Sequence, residues 1–195
     1  RGAGRAYYAD TNYQLLGLIL EAVSERSLAE ILRARIVEPL GLERTYLYGH
    51  DEPTGAAPAT IHAGRRALSL PRAMRSFWAD GALVSTVGDT LRFLRGLFAG
   101  ELLRPETLEA MQRFRPMRFP LAYGMGMMRF ALPRWMSPFR APPTLLGHSG
   151  ASGSFAFFCP GAADNKGLYL AGTVDQAAKV QLPFQLLLRV LRHLR

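Results

Sequence analysis

The stretch LLGHSGASGSFAFFCP, from Leu145 to Pro160, constrains the fold of this chain more than any other. An apolar run ends at Gly147, small residues cluster as a turn requires, and Ser154-Phe155-Ala156-Phe157-Phe158-Cys159 follows. Aromatic-rich runs bounded by Gly and Pro form buried strands, because flat rings pack well on a pleated surface. Strands joined by so short a turn pair antiparallel. At the end of the first strand stands His148-Ser149-Gly150, where a plain sheet would carry Val or Leu. Gly150 has no side chain to keep another molecule off the backbone. Two readings fit the triplet: a strand edge that holds a ligand, or a hairpin whose His is a satisfied structural donor.

Upstream of this hairpin the pattern is helical. Thr11-x-x-Gln14 has the form of a capping box, and Tyr13, Leu16, Ile19, Leu20 and Val23 recur at helical spacing, which predicts a helix from Asn12 to Glu25. Gly17 within it predicts close packing against a neighbour. Ser27-x-x-Glu30 repeats the capping signal, and Leu28, Ile31, Leu32 and Ile36 continue it until Pro39 and Gly41. From Thr45 to Arg75 the prolines and glycines predict mostly loop with short strands. A third helix is expected over Val87 to Ala99, closed by Gly100, and Pro105 opens a fourth, to Phe114. Tyr123 to Phe130 reads as one strand, and further strands follow at Leu145 to Gly150, Ser154 to Cys159 and Leu168 to Val174. Pro183 starts a last helix with Phe184, Leu187, Leu188, Leu191 and Leu194 on one face, and Arg189, Arg192 and Arg195 near its end. The expected architecture is α+β: a mainly helical part over 1–115, then an antiparallel sheet over 116–195 with the last helix on one face.

The 195 residues are 49% apolar and 20% charged, enough for a sizeable core and against disorder. The net charge of +9 is carried almost wholly by arginine, since only Lys166 and Lys179 are lysines. These arginines are spread along the chain, which fits a generally positive surface and excludes nucleic acid as an expected partner. No apolar run approaches the roughly 20 residues of a membrane span. Cys159, the single cysteine, leaves no internal disulfide and reads as a small buried hydrophobe. His50, His62, His148 and His193 have no helical pairing, so no metal site is expected, nor any cofactor. The chain starts at Arg1 rather than Met with a helix close behind, so its beginning is expected to be missing and its compartment stays open.

A second polar constellation, Tyr8-Ala9-Asp10-Thr11-Asn12, precedes the first helix, where the helix dipole stabilises anions. Asp10 and Thr11 can equally be plain caps, with Tyr8 as a hydrophobic staple. Taken with the helix after it, this run resembles the Tyr-x-Asn motif of the penicillin-recognising serine hydrolases, a family that includes class C β-lactamases, DD-carboxypeptidases and related esterases. His148-Ser149-Gly150 resembles that family's Lys-Thr-Gly strand motif in its His-x-Gly variant. Glu38-Pro39-Leu40-Gly41-Leu42, Asp80-Gly81-Ala82-Leu83-Val84-Ser85-Thr86 and Tyr123-Gly124-Met125-Gly126 agree in order, so the resemblance covers almost the whole chain.

The resemblance implies the C-terminal portion of a β-lactamase/transpeptidase-like fold and acyl transfer to a small-molecule or peptide substrate. In the family a serine of a Ser-x-x-Lys motif attacks a carbonyl, while the lysine and the tyrosine manage protons. Carried over, Tyr8 handles protons, Asp10 contacts substrate or the lysine, and His148 stands at the cation position. Ser149 and Gly150 line the site, and the Ala151 backbone N–H helps to hold the oxyanion. Neither lysine has a serine three residues before it, Ala163 and Gln176 standing there instead. The nucleophile is therefore expected on a segment preceding Arg1, a possible partner of this chain, which is expected to be inactive alone. Lowering a tyrosine pKa from about 10 to about 7 takes roughly 4 kcal/mol, and Asp10 pushes the other way. That makes Tyr8 a hydrogen-bonding orienter rather than a phenolate base, and favours ester or peptide substrates over β-lactams. Two alternatives remain: a non-catalytic binding module, or Ser149 as nucleophile in a loosened Gly-x-Ser-x-Gly elbow with His62 or His193 as base. With its first strands missing, the sheet is expected to expose an apolar edge or face.

Overall fold

Six strands pair in the order in which they occur, and the helices are laid against both faces of the sheet they form. They are β5 (Arg115–Pro116), β6 (Leu121–Tyr123), β7 (Met128–Ala131), β8 (Thr144–Ser149), β9 (Ser154–Cys159) and β10 (Leu168–Thr173), every neighbouring pair antiparallel. Before them come α1 (Asp10–Ser24), α2 (Leu28–Leu32), a π-helical turn (Arg33–Val37), α3 (Glu38–Leu40), α4 (Pro71–Gly81), α5 (Val87–Ala99) and α6 (Pro105–Met111). Four short strands, β1 (Tyr46–Leu47) with β4 (Leu83–Val84) and β2 (Ile61–Ala63) with β3 (Arg66–Leu68), form two small ladders among these helices. The last element is α7 (Leu182–His193). This computed structural model describes residues 4–51, 53, 57–136, 142–162, 167–177, 179 and 181–193, with Arg192 and His193 described by their backbone alone.

The alternation of β9 explains the layering. Phe155, Phe157 and Cys159 are buried on one face, together with Leu145, Phe130, Leu187 and Leu191, so α7 closes this side. Phe130 and Phe184 stack there at 4.7 Å. Phe158 points the other way and meets Phe98 of α5 at 4.6 Å, in a second core with Leu97, Met127 and Leu146. The α+β sheet with its covering C-terminal helix is as the sequence implies. The Leu194 and Arg195 expected on that helix, and the side chains of Arg192 and His193, lie outside the described residues, as do Ala163 and Lys166.

Local signals fared unevenly. The capping box at Ser27 is complete, its backbone N–H donating to Glu30 Oε2 at 2.8 Å and its Oγ accepting from the Glu30 N–H. Helix α5 matches its expected range, with Thr86 accepting from the Asp89 N–H and Gly100 in the left-handed C-cap. At Thr11 no box exists: α1 starts at Asp10, its N-cap Ala9 makes no side-chain bond, and Gln14 Nε2 donates to the Phe77 carbonyl at 2.9 Å. A tertiary acceptor has drawn the Gln14 amide away from the Thr11 N–H that it would accept from in a capping box. The helix stops where expected, at Leu40 with Gly41 in the left-handed C-cap, while Pro39 is carried within its last turn because a π turn widens the backbone just ahead of the residue that lacks an N–H. Pro71, read as loop punctuation, is the first residue of α4. The strand expected over Tyr123 to Phe130 is two strands, β6 and β7, folded at Gly124 to Met127.

Gly17 packs as expected. A methyl group there would sit 2.7 Å from the Ala79 Cβ and about as close to the Trp78 ring. Helices α1 and α4 thus meet at near backbone contact, and Trp78 turns the last part of α4 through a non-helical φ of 35°. One side of α1 is committed to this contact. Its Leu15, Leu16, Leu18, Ile19, Leu20 and Val23 remain exposed, Val23 at 82%. The apolar surface expected on the sheet is therefore concentrated on a helix, while the outer edge of β10 has no paired strand among the described residues.

Candidate functional site

The segment ahead of α1 is tied to the edge of the sheet. The Ala6 N–H donates to the Pro116 carbonyl at 2.8 Å, and Arg5 Nη2 donates to the Met117 carbonyl at 2.9 Å. This anchoring brings the Tyr8 ring against the sheet while leaving 39% of its surface open to solvent. Its ring centroid lies 5.7 Å from that of His148, 5.4 Å from Tyr123 and 5.8 Å from Tyr13. Tyr8 and His148, 140 positions apart (148 − 8), are thus neighbours.

Four hydrogen-bonding groups run through the cluster. His148 Nδ1 lies 2.9 Å from the Ser149 carbonyl, which can only accept, so Nδ1 carries the proton and Nε2 is left as an acceptor. The Tyr123 hydroxyl, 2.9 Å from Nε2, donates to it. Having spent its proton there, Tyr123 accepts from the Tyr13 hydroxyl at 2.5 Å. The order from α1 through β6 to β8 follows from the donor and acceptor inventory alone.

Electrostatics holds these groups neutral. Burial pushes the His148 pKa below the ordinary imidazole value, partly opposed by its bond to Ser149 and by Asp10. Burial pushes Tyr8 well above the ordinary phenol value, and the Asp10 carboxylate raises it further as hydrogen-bond acceptor and as charge. Tyr123 is raised above that value chiefly by burial. At neutral pH the site is a phenol and imidazole wall with a carboxylate at its edge. It can orient, donate and accept hydrogen bonds.

Of the residues singled out from sequence, Tyr8, Asp10 and His148 are brought together. Ser149 closes β8, and Gly150 begins the turn, its N–H donating to the Ser154 carbonyl at 2.8 Å. The room a side chain would need at Gly150 is taken by Ser154 Oγ, 2.5 Å from the would-be Cβ, so its smallness serves the hairpin's own closure. Ala151 is exposed on this turn, and its N–H has no backbone acceptor among the described residues. After Ser149 the chain returns as β9, without the helix that a nucleophile elbow requires. His62 is engaged elsewhere, its backbone bonded to Asp175 and Ala177 beside β2, and His193 lies outside the described side chains. Among the described residues no group of His, Cys, Asp and Glu could hold a metal ion. No described helix is long and apolar enough to cross a membrane.

Tyr13 and Tyr123 were missed as site residues. Tyr13 falls on the apolar period of α1 and Tyr123 at the end of a strand, so each reads as core; only their meeting reveals a role. A cavity of about 820 Å³ between α2, α4 and the loop after β1 includes His50, Arg72, Arg75 and the Arg33–Asp51 ion pair, but none of the cluster. The residues singled out from sequence lie on an open wall at Tyr8 and His148, outside that cavity.

Residues 2–182 match the protein family described as Beta-lactamase. Among solved structures, the D-amino acid amidase of Ochrobactrum anthropi SV3 superposes with a TM-score of 0.75 at 24% identity, over 96% of this chain and 57% of its own. The octameric penicillin-binding protein homologue of Pyrococcus abyssi gives 0.69 at 24%, over 100% and 43%. The penicillin binding protein of Bacillus halodurans gives 0.67 at 15%, over 96% and 57%. The chain spans between 43% and 57% of the length of these neighbours.

Proposed function

The chain belongs to the beta-lactamase family, and from that premise we propose that it forms one wall of a serine hydrolase site that works through an acyl-enzyme. The observation that carries this reading is the approach of the Tyr8 and His148 rings to 5.7 Å at the junction of α1 and β8. In the proposed reaction a serine Oγ attacks the substrate carbonyl, and its proton passes to the lysine of the same Ser-x-x-Lys motif. The oxyanion is held by the Ala151 N–H, the leaving amine or alcohol takes up a proton, and water then hydrolyses the ester on the serine. Tyr8, held as a phenol beside Asp10, orients the substrate or the lysine instead of acting as the base.

The sequence holds no Ser-x-x-Lys, so the serine and lysine are proposed to come from further polypeptide lying along α1. The exposed leucines of that helix support this, since a helix apolar on so many sides is stable when covered. A neutral His148 at the strand position offers no fixed cation for a substrate carboxylate. That favours esters and amides over β-lactams, and an amino acid amide, named for one neighbour, is the first substrate to test.

Mass spectrometry after treatment with a fluorophosphonate tests the reading. The chain alone gains no adduct, while the chain joined to a family segment carrying Ser-x-x-Lys gains one, on that serine. An adduct on Ser149 of the chain alone, or none in the joined protein, overturns it.

A further inference from the structure

We propose that Tyr123 and Tyr13 are positioning residues, whose hydroxyls form a relay, directed by the Ser149 carbonyl, that helps to hold the proton on Nδ1 of His148 and ties α1 to β8. The purpose assigned to the relay rests on the acyl-transfer reading; its geometry does not.

Three contacts define it. The Ser149 carbonyl takes the Nδ1 proton at 2.9 Å, Tyr123 donates to Nε2 at 2.9 Å, and Tyr13 donates to Tyr123 at 2.5 Å. Each oxygen and nitrogen has one part to play, so no hydroxyl can turn without breaking a neighbour's bond. The three side chains come from α1, β6 and β8, and α1 is the helix whose first residue is Asp10 and whose leading segment carries Tyr8. The relay therefore sets the gap between the tyrosine side and the imidazole side of the site. A Tyr8 shifted by even 1 Å would lose its place against His148, and orientation of this kind carries large rate factors.

The relay also has a second state. If Nε2 gains a proton, it must donate, and Tyr123 must accept from it and turn its own proton to Tyr13. Tyr13 must then find another acceptor, and Asp10, three residues back on α1, lies within one helical turn. The groups facing His148 are Tyr8 and Asp10 from α1 and its leader, Tyr123 from β6, and Ser149 on its own strand, with Tyr13 reaching it only through Tyr123. Protonating the imidazole thus reverses the two hydrogen bonds at the Tyr123 hydroxyl and leaves the Nδ1 bond to Ser149 as it was.

Long-range proton–nitrogen NMR of the full chain labelled with nitrogen-15 histidine reads this directly. At neutral pH His148 is expected as a single tautomer protonated at Nδ1, with Nε2 shifted upfield of an unbonded imidazole nitrogen by the Tyr123 proton. Tyr123→Phe moves the Nε2 signal downfield toward the unbonded position and lets the other tautomer appear. Tyr13→Phe keeps the tautomer and moves Nε2 less. A wild-type spectrum showing the Nε2-protonated form or two tautomers overturns the relay, and so does a folded Tyr123→Phe protein with an unchanged spectrum. Because the wild-type spectrum is itself decisive, misfolding of a variant does not protect the proposal. The readout needs no turnover: failure of the acylation test with this spectrum intact removes the proposed function and leaves the relay standing.

Discussion

The sheet core and helix α1 are both rich in apolar side chains, yet only one of them is closed. Around β9 the burial is complete: Phe157, Leu145 and Cys159 have no exposed surface, and Leu187 and Leu191 of α7 seal them. Along α1 the single buried residue is Gly17, and large apolar side chains stand in solvent on either side of it. The difference teaches that the sheet with α7 and α5 is a self-sufficient layer structure, whereas α1 is positioned by one close contact and a hydrogen-bonded rim. The candidate site lies where the two meet, with His148 on the closed region and Tyr8 on the open one.

That contrast can be broken by experiment, and the largest effect is expected in the closed region. Phe157→Ala should destabilise the chain by about 3–5 kcal/mol, through lost burial and the cavity left behind. Denaturant unfolding measures it, and a loss below about 1 kcal/mol would mean that the core is not the structure's anchor. Gly17→Ala tests the close backbone contact that α1 makes with α4. Helix propensity favours alanine by about 1 kcal/mol, but the methyl would meet Ala79 at 2.7 Å, so a net loss of about 1–2 kcal/mol is expected in the same assay. A gain would show that α1 and α4 are not in close contact.

A smaller effect is expected from pH. The His148 pKa is lowered on folding, so the unfolded chain binds the extra proton first as the solution is acidified. This part of the stability is present above about pH 6.5 and is lost as pH falls below that value toward the folded pKa. Unfolding midpoints between pH 7.5 and 5 should fall for the wild type and fall less for His148→Gln. Tyr8 and Tyr123, raised on folding, act at the other end: their contribution is present below about pH 10 and is lost above it. The smallest change is expected on the open region, where Leu15→Ser and Val23→Ser should each alter stability by no more than about 0.5 kcal/mol. The same two changes should reduce self-association in sedimentation, since they shrink an exposed apolar patch.

Much of the fold was legible because it was written locally. Thr86 and Gly100 bracket α5, Ser27 and Glu30 cap α2, and the phenylalanines of β9 alternate, so neighbours in sequence were enough. Errors arose where a local signal had a distant competitor. Gln14 left its capping role for the carbonyl of Phe77, and Pro71 started a helix where it looked like a turn. The fold at Gly124 went unseen because Tyr123 to Phe130 alternates as one strand would, while the glycines that allow the turn read as part of the pattern.

The sequence by itself determined most of the closed region: β8, β9, β10, α5 and α7 follow from periodicity, caps and turn residues, all acting within a few positions. It also contained both halves of the candidate site, since Tyr8 and His148 stand out as polar residues beside apolar elements. What the tertiary structure alone decided is that Tyr13 and Tyr123 join them. Those two hydroxyls lie 110 positions apart, and each looks like core until β6 pairs with β7 and β7 with β8. Hydrogen-bond direction in such a cluster is fixed by which carbonyl accepts the Nδ1 proton, a matter of packing that no spacing in a chain records.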